Sequence, residues 1–219
     1  MDIHTVPMGI TRCYVIRDTE SILVDCGPPN KLNAFVKGLQ KASIDPKHIK
    51  LIVQTHGHWD HIGSARVVKS LTGALLAMHE PDSSYLEKSM NLLPIGVTLW
   101  GKILTTIPTK PKVGVTAVDI ILSDEDFSLV PFGIRGKVVY TPGHTMGSVS
   151  VLLDNGDAFV GDLVMSGFPV RVNPGLPIFA EDTKRVKESI KLLLESGAKT
   201  FYPGHGRPFP ASAISKFLS

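Results

Sequence analysis

Four side chains able to hold a metal ion fall within six residues of this chain: His56, His58, Asp60 and His61, in the run Thr55-His56-Gly57-His58-Trp59-Asp60-His61. Neutral imidazole nitrogen and carboxylate oxygen suit Zn²⁺, and also Fe or Mn. In extended backbone, alternate residues share a side, so positions 56, 58 and 60 point together, and a turn into a helix swings His61 back toward them. Two histidines can take one ion while Asp60 and His61 face a second. Two cations that close lower the pKa of a water held between them toward neutrality, which is the chemistry of hydrolysis at a carbonyl or phosphorus.

The elements around this run set where it sits. Ile49–Val53 reads as a strand leading into it, and a helix through Ile62, Ala65, Val68 and Leu71 leaves it, stopping at Gly73. The same plan recurs twice: Val138-Val-Tyr-Thr-Pro-Gly-His144 and Lys199-Thr-Phe-Tyr-Pro-Gly-His205 each run from an apolar strand through Pro-Gly to a histidine. Cys13–Ile16 and Ile22–Asp25 form a hairpin, followed by a helix capped by Asn30 with Leu32, Phe35, Val36 and Leu39 on one face. Ala74–Met78 is a further strand, and a short helix is expected near Tyr85 to Met90. Strands follow at Phe127–Val130, Ser148–Leu153 and Ala158–Val160, the last two joined by the hairpin signal Asn155-Gly156. A helix over Glu181 to Ser196 and a strand from Lys199 to Tyr202 complete the pattern. Strand-then-helix runs in both halves predict two mixed sheets packed face to face with helices outside, and strand ends that gather the histidines on one rim.

These residues resemble the metallo-β-lactamase-fold hydrolases, whose motif Thr-His-x-His-x-Asp-His matches Thr55 to His61. The rest of the pattern stands in order: Thr-Pro-Gly-His-Thr with His144, Val-Gly-Asp with Asp162, Tyr-Pro-Gly-His-Gly with His205, and Val24-Asp25-Cys26-Gly27 as the early Asp-x-Gly turn. The resemblance spans nearly the whole chain. It implies a four-layer αβ/βα sandwich with the site at one edge between two mixed sheets, and two divalent ions, zinc first, with Fe or Mn as alternatives. His56, His58 and His144 would bind one ion, Asp60, His61 and His205 the other, and Asp162 would bridge them. Asp60 is a candidate to protonate the leaving group, a metal-bound water being the alternative. Asp25 and Thr145 are candidates to orient imidazoles.

Composition narrows the classes. The chain has 219 residues, 43% hydrophobic and 20% charged, enough for a buried core, and a net charge of +3 with no basic run disfavours a nucleic-acid binder. Cys13 and Cys26 cannot make a disulfide framework and read as small buried apolar groups. There is no basic-then-apolar leader and no Asn-x-Ser/Thr sequon, so the cytoplasm is the expected compartment. The apolar run Leu92 to Pro108, interrupted by Lys102, is too short to span a membrane. It lies in an apolar insertion at about 80–116 within one domain over 1–219. Its part from Leu92 to Trp100 reads as a lid, a packed insertion or a homodimer surface, or alternatively as a substrate wall carrying Leu99 and Trp100, with Trp59 shaping the pocket. His4 and His48 read as exposed without a role, and His79 as structural.

Departures from the family's branches narrow the substrate. Zinc β-lactamases generally carry cysteine where Asp162 stands, which argues against β-lactam hydrolysis. Flavodiiron oxygen reductases have glutamate where His58 stands. Long-form glyoxalase II adds a helical domain, whereas fourteen residues follow His205. Homoserine-lactone lactonases commonly place tyrosine shortly after the bridging aspartate, and here Leu163-Val164-Met165 follows. The expectation is a dinuclear hydrolase of a small thioester, ester or lactone. A mononuclear iron persulfide dioxygenase using His56, His144 and Asp162, and a non-catalytic metal-binding protein, are the competing readings.

Overall fold

A computed structural model describes residues 1–90, 93–107, 111–167 and 171–218. The first half builds β1 (Asp2–Pro7), β2 (Arg12–Arg17), β3 (Ser21–Val24), α1 (Leu32–Lys41), β4 (Ile49–Val53), α2 (Trp59–Ile62), α3 (Ala65–Thr72), β5 (Leu75–His79), α4 (Glu80–Glu87), α5 (Leu99–Thr105) and β6 (Ile120–Leu122). The second half builds β7 (Phe127–Ser128), β8 (Gly136–Tyr140), β9 (Val149–Leu153), β10 (Asp157–Gly161), α6 (Thr183–Glu195), β11 (Thr200–Pro203) and β12 (Phe209–Pro210).

Strands β1 to β6 form one sheet in sequence order, antiparallel through β3 and parallel from β3 to β6. The other sheet runs β12-β11-β10-β9-β8-β7, with β10 and β11 paired in parallel and these other neighbours antiparallel. Period-two alternation sorts the side chains into three apolar layers. Tyr14, Ile16, Leu51 and Val53 face inward onto Val151, Leu153 and Phe159 of the opposite sheet. Their neighbours Cys13, Val15 and Ile52 face outward onto Phe35, Leu39 and Val68 of α1 and α3. On the far side, Ala158, Val160 and Phe201 pack against Val186, Ile190 and Leu193 of α6. The predicted helix–sheet–sheet–helix sandwich is therefore the observed one, and both cysteines are fully buried thiols within it.

Several local expectations need correction. Asn30 does not cap α1: it takes a left-handed backbone (φ 62°), and Lys31 precedes the helix without a side-chain cap. The helix expected near Tyr85 begins at Glu80, where Pro81 and the acidic Glu80 and Asp82 fill a first turn. The motif is extended only through His58. Helix α2 starts at Trp59, so Asp60 reaches the site from a helical turn. The 80–116 segment joins β5 to β6. It contains α4, which packs on β5 and β6 as the crossover between parallel strands, and it then extends into α5, which went unpredicted along with β1, β6 and β12. Part of this segment, including Leu92 and Pro108, lies outside the described residues. Past α4 the chain reaches the other half: Gly96 bridges to Phe179, and Gly101 packs on the Ile178 carbonyl. Among the described residues no helix is long and apolar enough to cross a membrane.

Candidate metal centre

Five polar side chains are delivered by strand ends or the loops just beyond them. His56 and His58 follow β4, His144 follows β8, Asp162 follows β10 and His205 follows β11, while α2 supplies Asp60 and His61. On one rim of the sandwich they form two groups able to hold an ion. His56, His58, His144 and Asp162 bring one ligand atom each within 4.8 Å of one another, as do Asp60, His61 and His205. Asp162 faces both groups: Oδ1 lies 3.3 Å from His61 Nε2, and Oδ2 lies 3.3 Å from His205 Nε2 and 3.7 Å from His144 Nε2. Gly204 allows this closeness, because a Cβ there would overlap both the His61 ring and the Asp162 carboxylate.

The outer nitrogens of the rings fix their tautomers. His144 Nδ1 donates to the Phe179 carbonyl (2.8 Å) and His205 Nδ1 to the Ile10 carbonyl (2.9 Å), which turns each Nε2 toward the centre. Asp25 controls two more. It accepts from His61 Nδ1 (2.8 Å) and from the Thr55 hydroxyl (2.9 Å). With its one proton committed to Asp25, Thr55 Oγ1 accepts from His56 Nδ1 at 3.0 Å. Asp25 thus orients His61 directly and His56 through Thr55. Thr145 does not orient a ring: its hydroxyl donates to Asp82 at 2.7 Å.

Asp82 is the residue that the sequence reading missed. Buried at the start of α4, it accepts from the amides of Gly57 (2.7 Å) and Gly147 (3.1 Å) as well as from Thr145, tying the loop of His56 and His58 to the loop of His144. Burial raises its carboxyl pKa to about 6 against the opposing pull of these donors. An aspartate in the first turn after a strand was the available signal, and such a residue is common at helix starts whether buried or exposed.

Electrostatics divide the rim in two. Burial lowers the pKa of His56 and of His58, the latter to about 3, with neighbouring imidazoles adding to the effect; burial also lowers His144 against the pull of Asp162. For His61 and His205 burial pushes the same way, but Asp162 leads the carboxylates that override it, and His205 rises to about 10. Asp60 falls to about 2 because His205 and His61 outweigh its burial.

The side chains fit a cation. His144 Nε2 stands 3.2 Å from His56 Nε2 and 2.9 Å from His58 Nδ1, crowding ring nitrogens at one point. His61 Nε2 and Asp162 Oδ1 are buried without a hydrogen-bond partner, although only 3.3 Å apart. Nitrogen and carboxylate atoms crowded in a dry site need positive charge among them, and a bound cation supplies it with the rings neutral.

A cavity of about 240 Å³ opens beside the rim, touching His58, Asp60, Asp162 and His205. Its walls are apolar: Trp59 on one side, and Pro94, Leu104, Ile107, Met165 and Ile178 around it. Leu99 and Trp100 are not among its lining residues. They sit on the opposite face of α5, Leu99 largely and Trp100 about half exposed, and Leu104 and Ile107 take the place expected for them. His79 lies away from the cavity, stacked on Tyr140 at 4.4 Å with Nε2 3.3 Å from Asp124.

Two facing mixed sheets with a histidine-and-aspartate rim at their edge define a metallo-hydrolase class of sandwich, and comparison with known proteins places the chain within it. Residues 6–205 match the family model of the metallo-β-lactamase superfamily, and the chain belongs to that superfamily. It is similar to probable metallo-hydrolase YflN of Bacillus subtilis (24% identical, covering 94% of this chain and 84% of that one). It is also similar to probable metallo-hydrolase MJ0888 of Methanocaldococcus jannaschii (28%, covering 88% and 86%). Among solved structures, the BLEG-1 B3 metallo-β-lactamase shares the fold over the full length of both chains (TM-score 0.75, 21% identical). ST1585 from Sulfolobus tokodaii does so over 99% of this chain and 84% of that one (TM-score 0.69, 23% identical). Membership and the histidine and aspartate groups together imply divalent metal ions.

Proposed function

We propose that the protein is a dinuclear metal hydrolase that cleaves a small thioester, ester or lactone with an apolar acyl part. The observation that carries this reading is the convergence of seven histidine and aspartate side chains beside an apolar cavity. His56, His58 and His144 would hold one divalent ion, zinc first, and Asp60, His61 and His205 the second, with Asp162 facing both. When bound, such ions acidify a water and polarise the acyl oxygen. The chain's own residues do the rest. Asp25, Phe179 and Ile10 hold the rings in one tautomer, so affinity is not spent on reorganising them. Trp59, Leu104 and Ile107 bind the acyl part and exclude water around it. Asp60 borders the cavity with its carboxylate 3.2 Å from His205 Nε2, and from that position it would carry the proton to the leaving atom.

The test is elemental analysis of protein purified without chelator, followed by assays after reconstitution with zinc and with iron. About two zinc ions per chain and turnover of apolar thioesters, esters or lactones support the proposal, with a cephalosporin left intact. A single iron per chain with oxygen uptake on a persulfide overturns it. Full metal loading without turnover of any of these substrates leaves the non-catalytic reading in its place.

A further inference from the structure

Half of the large apolar side chains left exposed among the described residues fall between Met90 and Val115. Leu99 is 78% exposed and Leu93 72%, and Ile95, Trp100, Ile103 and Ile107 are each about half exposed. Helical spacing puts Leu99, Trp100 and Ile103 on one face of α5, while Gly101 and Leu104 occupy the other, against Ile178 and the cavity. An outward row of leucine, tryptophan and isoleucine has no place in a water-facing surface unless something covers it.

Charge says what that is. From Lys88 to Val118 the sequence contains four lysines, at 88, 102, 110 and 112, and no aspartate or glutamate. Lys88, Lys102 and Lys112 are exposed and have no ion-pair partner among the described residues. The flanking acids are engaged elsewhere: Glu87 accepts from the Val118 amide (3.3 Å), and Asp119 pairs with Lys69 (2.6 Å). A two-fold contact with a second copy of this face would set lysine against lysine with no carboxylate in the segment to answer it. A surface that is apolar at its tip and negative around it meets both demands.

We propose that the 93–107 segment docks the protein onto an anionic lipid surface. Leu99, Trp100 and Ile103 enter the boundary between headgroups and acyl chains, and Lys102, on the same helix, meets the anionic headgroups. Trp100 suits that depth, with an apolar ring and one N–H to satisfy. Ile107, just past α5, lines the cavity and is itself 54% exposed. The inference rests on the surface alone and does not need the hydrolytic reading to be right.

The test is co-sedimentation of the full chain with vesicles of phosphatidylcholine, with and without about a third phosphatidylglycerol. Binding to the anionic vesicles only is expected, falling as salt is raised, with a blue shift of tryptophan emission that Trp100→Phe removes. Leu99→Glu and Ile103→Glu change exposed positions, leave the fold intact by circular dichroism, and each weaken binding about tenfold or more. Val130→Glu, equally exposed on the other half, leaves it unchanged. Absence of binding to either vesicle, or equal binding to both, overturns the proposal. So does a concentration-dependent dimer in sedimentation analysis that Leu99→Glu abolishes, which would make the face a self-association surface.

Discussion

Asp25 and Asp82 do different work with the same functional group. Asp25 takes hydrogen bonds from His61 and Thr55 and so governs two rings, in a left-handed backbone (φ 61°) that aspartate tolerates better than most residues. Asp82 touches no ring and instead ties two ligand-bearing loops together through Gly57, Thr145 and Gly147. Folding raises its pKa to about 6, so between about pH 4 and 6 the folded chain keeps a proton that the unfolded chain has lost. Its contribution to stability is therefore full below the unfolded pKa, falls as pH rises through that window, and is level above it. In Asp82→Asn the position no longer titrates. The difference in denaturation free energy between wild type and variant should change by about 2–3 kcal/mol across the window and stay flat above pH 7. A difference independent of pH would show that the folded carboxyl titrates as it does in the unfolded chain.

At the level of elements, the rim was legible because strand period and turn chemistry are local. Val138 to His144 and Lys199 to His205 each announce a strand that breaks at Pro-Gly and hands over a histidine, and the folded chain keeps both arrangements. The terminal strands β1 and β12 and the short β6 were not legible. The residues of β1 (Asp2-Ile-His-Thr) and β12 (Phe-Pro) are polar or broken by proline, β6 is an apolar run of three residues too short to show a period, and all three are held by pairing with a neighbour. Helix α5 hid inside an apolar run with no polar face to give it a period, and its lining of the cavity depends on Gly96 and Gly101 meeting Phe179 and Ile178, more than seventy residues away. Gly204 is a similar case. Its lack of a side chain matters only because β11 brings it against His61 and Asp162. Gly204→Ala should push those two groups apart and cut metal content per chain at least about twofold, while the far-ultraviolet spectrum is retained. Unchanged metal content would mean that the rim has slack that the packing does not suggest.

For the molecule as a whole, the rim joins the two halves. His56, His58, Asp60 and His61 come from the first half, and His144, Asp162 and His205 come from the second. An ion bound by both resists their separation, so binding energy becomes folding energy. Stripping metal with a chelator should lower the melting temperature by about 10 °C, as expected for loss of about 4 kcal/mol in a chain of this size, and zinc should restore it. A melting point indifferent to chelation would count against a metal centre in this position.

The two thiols give that separation a natural reporter. Cys13 and Cys26 lie in the layer between the first sheet and its helices, fully covered, and burial raises the pKa of both, which leaves them unreactive while the layer is closed. A maleimide or aromatic disulfide can therefore reach them only when the layer between sheet and helices opens. The rate of labelling in native buffer counts those openings directly, without an introduced probe, and comparing it with and without bound metal would reveal whether a clamp on the rim quiets a layer on the far side of the sheet.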